Sequence, residues 1–144
     1  MLHRLFNSAF SQATPAHAHC DLFCGVYDPA QAKIEALSCL KTIQKYHDSD
    51  DEHFKTRAII IKERQAGEVK HHLTVLWADF FTPEHFEQFP NLHQLFWEGV
   101  KGAGDIKKSL DPAVAENVIK IIDQIADIFW QTDKGKQMGV YPPS

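Results

Sequence analysis

The stretch DPAVAENVIKIIDQIADIFW, residues 111–130, decides the fold class. Val118, Ile121, Ile122, Ile125, Ile128 and Phe129 recur at the three- and four-residue spacing that lines apolar side chains along one face of an α-helix. Asp111 stands where an N-cap acid belongs, and Pro112 comes next at the first helical position, where its missing N–H costs nothing. The segment predicts an amphipathic helix whose stripe must be buried against other helices.

Working outward, Asp28-Pro29-Ala30-Gln31 repeats the start signal and predicts a helix from residue 29 to about 46. Its apolar positions are Ile34, Leu37, Leu40 or Cys39, and Ile43. An acidic cluster at 48–52 opens a long helix that continues without Pro to Phe81, with Phe54, Ala58, Ile61, Gln65, His72 and Leu76 near the helical period. Thr82-Pro83 stops it, and Phe89-Pro90 breaks the short segment after that. Leu92, Leu95, Phe96 and Val100 then resume the period in a shorter helix, expected to end among Gly99, Gly102 and Gly104. No strand-type alternation and no repeat is present. The prediction is all-α: an up-and-down four-helix bundle over 28–133, with a flexible tail at 134–144.

A chain of 144 residues, 44% hydrophobic and 24% charged, suits one globular domain. Its formal net charge is −4 and its Lys and Arg are scattered, so it lacks the basic stripe that nucleic-acid binding needs. No apolar run approaches the ~20 residues of a membrane span. Three Cys are too few, and too odd a number, for a disulfide scaffold. Residues 1–18, MLHRLFNSAFSQATPAHA, carry no acid and end in the small-x-small pattern Ala16-His17-Ala18. They read as a leader or pro-peptide removed on maturation, against an unprocessed terminus. The expected location is cytoplasmic, or an organelle if the leader is a transit segment.

The densest chemistry lies just ahead of the first helix, in AHCDLFCGVYDPA, residues 18–30. Gly25 and the cap at Asp28 place Cys20 and Cys24 in a loop, where both are able to turn onto one ion. One Cys pair supplies two of the four ligands of a structural zinc site, and no second pair exists. A cut after Ala18 makes His19 the amino terminus, adding an amine, an imidazole and the amide nitrogen of Cys20. Two nitrogens and two thiolates in a plane point to nickel(II) or copper(II). A cut after Ala16 instead exposes His17-Ala18-His19, a copper-binding pattern, and the thiols alone read equally as surface cysteines or a disulfide.

The run His19-Cys20-Asp21-Leu22-x-Cys24-Gly25-Val26-Tyr27-Asp28-Pro29-Ala30-Gln31-Ala32 resembles the metal hook of the nickel superoxide dismutases. Further matches at His53-Phe54-x-Thr56-Arg57, Ile61-Lys62-Glu63, Lys70-His71-His72, His85-Phe86-Glu87 and Ile128-Phe129-Trp130 extend the likeness to Thr132. The resemblance implies a four-helix bundle assembled as a homohexamer. It also implies one nickel ion per chain, superoxide as substrate, and a maturation peptidase cutting after Ala18. It makes His19, Cys20 and Cys24 the nickel ligands in a hook over 19–27. Tyr27 and Asp21 would be the catalytic residues, Tyr27 ordering small molecules beside the metal and Asp21 lying in the hook, and Glu35 would hold the axial imidazole.

Three positions depart from the family. Phe23 replaces a Pro between the ligand cysteines, Gln65 replaces an Arg that supports Glu35, and Phe80 replaces a Tyr beside the substrate path. Arg64 lies about 100° around the helix from position 65 and is not expected to substitute. The alternative function is a nickel- or copper-binding bundle without turnover. Cys39 reads as a small buried hydrophobe, His71, His72, His85 and His93 as packed or capping histidines, and Trp77 as a core aromatic.

Overall fold

The computed structural model describes residues 25–138, which are almost entirely helical. The leader, His19, Cys20, Asp21, Phe23, Cys24 and residues 139–144 lie outside the described residues. Among the described residues six α-helices are arranged in chain order: α1 (Ala30–His47), α2 (Glu52–Val75), α3 (Pro83–Gln88), α4 (Leu92–Lys108), α5 (Pro112–Gln131) and α6 (Asp133–Met138). A π-helical turn, Leu76–Phe80, is fused to the end of α2. Helix α1 packs on α2, α2 on α4, α4 on α5, and α5 back on α1, which closes a four-helix ring. This is the expected all-α bundle, with two extra short helices.

The caps agree with the sequence signals. Asp28 Oδ1 accepts the Ala30 N–H at 2.7 Å, Asp51 Oδ1 accepts that of His53 at 2.9 Å, and Asp111 Oδ1 accepts that of Ala113 at 2.9 Å. Each satisfies a donor the helix start leaves unpaired. In α3 the reciprocal partner is a histidine, with the Thr82 N–H donating to His85 Nδ1 at 3.0 Å. Helix α5 buries Val118, Ile121, Ile122, Ile125, Ile128 and Phe129, the whole of its apolar stripe.

On α1 and α2 the buried face matches the expected one only in part, with Cys39, Leu40, Ile43, Ala58 and Leu76 buried as expected. Ala32, Ala36, Cys39, Leu40 and Ile43 face the core from α1, while Ile34 and Leu37 are 60% and 39% exposed. On α2 the inward residues are Ala58, Lys62, Ala66, Val69 and Leu73, and Phe54 and Ile61 face outward. Two apolar stripes compete on each helix. The one richer in alanine wins inside because small side chains let the α1 and α2 axes approach closely.

The glycines of α4 also need correction. The helix runs through Gly99, Gly102 and Gly104 to Lys108. A Cβ on Gly102 would lie 2.6 Å from Val118 Cγ2, and one on Gly99 would lie 2.9 Å from Leu73 Cδ1. These residues are small because α5 and α2 press against them. At the α4 C-terminus, Lys62 reaches from α2 and donates to the Lys107 and Ser109 carbonyls at 2.8 and 2.7 Å. Burial lowers the pKa of this lysine, and the carbonyls offset that cost. Finally, α6 occupies the start of the segment expected to be a loose tail.

Candidate metal centre and its surroundings

The described residues begin at Gly25, which adopts φ +73°, a conformation that suits glycine, just ahead of α1. Two residues on, Tyr27 is buried at the bundle end with its ring edge-on to Phe80, centroids 5.6 Å apart. Phe80 stacks on Phe129 at 4.2 Å and meets Phe81 edge-on at 4.9 Å. The π-helical turn makes this possible. Its Phe81 N–H reaches the Leu76 carbonyl at 3.1 Å, and the widened turn puts the adjacent Phe80 and Phe81 both into the core. Tyr27 and Phe80 are therefore in contact, and Phe80 is also a core aromatic.

Glu35 and Gln65 come together elsewhere. With Ile61, Arg64 and Glu68 they line an open depression of about 490 Å³ between α1 and α2. The Glu35 Oε2 atom is buried and has no hydrogen-bond partner among the described residues. An orphaned carboxylate oxygen is costly and calls for a donor. Arg64, expected to point away, lines this same depression and adds a cation to it. Cys39 lies one turn beyond Glu35, its Sγ donating to the Lys62 carbonyl at 3.6 Å. Burial, reinforced by the Glu35 charge, pushes its thiol up to about 11. That thiol stays protonated at neutral pH and is a poor metal ligand.

The histidines have structural partners. His93 Nδ1 accepts from Trp77 Nε1 at 3.0 Å and its ring stacks on Phe86 at 3.7 Å. His85 caps α3, and His71 and His72 meet edge-on. Among the described residues no three His, Cys, Asp or Glu side chains converge on one point. The sequence places His19, Cys20, Asp21 and Cys24 directly before Gly25.

Comparison with known proteins bears on that loop. A family model described as nickel-containing superoxide dismutase matches residues 14–133, ending one residue before Lys134 of α6. The chain belongs to the nickel-containing superoxide dismutase family. It is 49% identical over 134 residues to the nickel superoxide dismutase of Streptomyces coelicolor, covering 93% of this chain and 99% of the relative. The enzyme of Streptomyces seoulensis is 50% identical over the same extent. Among solved structures, native nickel superoxide dismutase superposes with a TM-score of 0.78 at 52% identity, covering 81% of this chain and 99% of that one. A structure with nickel ligation of the oxidised state gives the same values. The chain is thus an oxidoreductase that dismutates superoxide, and nickel is its cofactor.

Sequence reading missed Lys134. Its ammonium lies over the Tyr27 ring at 5.1 Å from the centroid and over Phe80 at 5.6 Å. The signal was the run Thr132-Asp133-Lys134-Gly135, whose threonine ties down a helical turn.

Proposed function

We propose that His19, Cys20 and Cys24 hold the nickel, through the His19 amine and imidazole, the Cys20 amide nitrogen and the two thiolates. The observation that carries the reading is the orphaned Glu35 Oε2. A ring N–H of His19 satisfies it, and the carboxylate in turn fixes the imidazole's orientation and raises its basicity. The donor set fits the metal, since anionic amide and thiolate ligands favour a square-planar ion and its higher oxidation state. Bound there, nickel supplies the one-electron steps that take one superoxide to dioxygen and the next, with two protons, to hydrogen peroxide. Tyr27 orders the small molecule beside the hook, and its fixed ring wall excludes bulkier ones. Asp21 steadies the hook, and Gln65 serves as a neutral hydrogen-bond partner where the family uses a cation.

Maturation is dictated by the ligand set. The leader 1–18 is removed by a peptidase cutting after Ala18, because only a cut chain offers the His19 amine. The mature chains assemble as a homohexamer, supported by the exposed Ile34, Leu37, Phe54, Ile60 and Ile61 on α1 and α2. The enzyme works in the cytoplasm. Among the described residues no helix is long and apolar enough to cross a membrane.

The test is a pair of variants in the mature nickel enzyme. Glu35→Ala should lower activity and change the metal's spectroscopic signature, and Gln65→Arg should sharpen that signature by holding the carboxylate ionised. Unchanged spectra in both would remove Glu35 from the site.

A further inference from the structure

Helix α6 is built to hold one charge in one place. Thr132, buried, donates from Oγ1 to the Phe129 carbonyl at 2.7 Å and accepts the Gly135 N–H at 3.0 Å. The Lys136 N–H closes on the Thr132 carbonyl at 2.9 Å. A Cβ on Gly135 would fall 2.1 Å from the Phe129 oxygen, so only glycine fits this fold-back. The turn carries Lys134 over the rings of Tyr27 and Phe80. It also sets Lys134 Nζ 3.5 Å from where a Cβ on Gly25 would lie, against the residue that comes directly after Cys24.

Among the described residues no carboxylate pairs with the charge at that spot. Asp133 pairs with Lys136 at 3.8 Å, Lys33 with Asp123 at 2.6 Å, and the Asp28 carboxylate accepts the Ala30 N–H. Lys134 has no ion pair among the described residues; its contacts are the two ring faces, which hold an ammonium without neutralising it. Superoxide is an anion, and the full chain's formal net charge of −4 becomes −5 once residues 1–18, whose one charged side chain is Arg4, are removed, so a cation held beside Gly25 acts on the encounter.

We propose that Lys134 is a positioning residue for the dismutation, holding a positive charge over Tyr27 that draws superoxide to the mouth of the hook. The proposal rests on the reading that residues 19–24 form the nickel site.

The test uses the nickel-loaded chain beginning at His19. Lys134→Gln should leave nickel content unchanged, lower kcat/KM about two- to fivefold, and flatten its fall with ionic strength. Lys134→Arg should retain both kcat/KM and the salt slope, and Lys134→Glu should reverse the slope. In the metal-free chain, the Lys134 ε-methylene protons should show an upfield ring-current shift by NMR, lost in Gly135→Ala. Gly135→Ala, which keeps the lysine but displaces it, should lower kcat/KM as Lys134→Gln does. A nickel-loaded Lys134→Gln with unmoved kcat/KM and salt slope overturns the proposal alone, as does the absence of the ring-current shift. A chain from His19 that takes up no nickel overturns the hook reading and this proposal with it.

Discussion

Cys39 shows how position within one helix turns the same side chain from ligand candidate to core atom. Its buried thiol, pushed up to about 11 from an ordinary 9.0, stabilises the fold fully below pH 9. That contribution is lost as pH rises through about 11, because the folded thiol gives up its proton less readily than the unfolded one. Denaturant titrations at pH 8 and above pH 10 should show the loss in the parent, and a smaller one in Cys39→Ala. An equal loss in both would mean that other groups carry the alkaline limb. Phe23→Pro should preserve or raise activity in the mature enzyme, since Pro lowers the cost of a cis peptide in the hook turn from about 3 to under about 1 kcal/mol. A Pro variant that binds no nickel would show a hook of different path. At this scale the proposed ligands stand out because His19, Cys20 and Cys24 sit together in one short run directly after the acid-poor residues 1–18. Lys134 was not, because its meaning comes from two rings distant in sequence.

Among the elements, α5 was legible in full because its stripe is made of Ile, Val and Phe, and nothing competes with it. Helices α1 and α2 each carry two stripes, and hydropathy favours the larger side chains although close packing selects the alanines. In α4, glycine was read as a terminator by its helix propensity, yet it serves the contact with α5. Gly102→Ala should therefore destabilise the bundle by about 1–3 kcal/mol despite the better helix former, because Val118 must move. Stabilisation on thermal unfolding would mean the α4–α5 contact is looser. Lys62→Met removes both donors to the α4 terminal carbonyls and should cost about 2–4 kcal/mol, read from chemical denaturation. A neutral result would mean that water replaces the ammonium there.

For the molecule as a whole, the bundle provides a rigid end wall, with Tyr27, Phe80, Phe81 and Phe129 packed at the exit of the Gly25 turn. On the proposed reading, the chemistry is carried by residues 19–24, the short segment that precedes Gly25. Its central requirement is a free amine at His19, which no uncut chain possesses. The most direct test compares superoxide turnover and nickel content of three proteins: the verified uncut chain, the chain beginning at His19, and that chain with one Ala added before His19. The account predicts equimolar nickel and rapid turnover for the second alone, with most activity lost on adding the Ala although every side chain is kept. Full turnover by the uncut chain would contradict it.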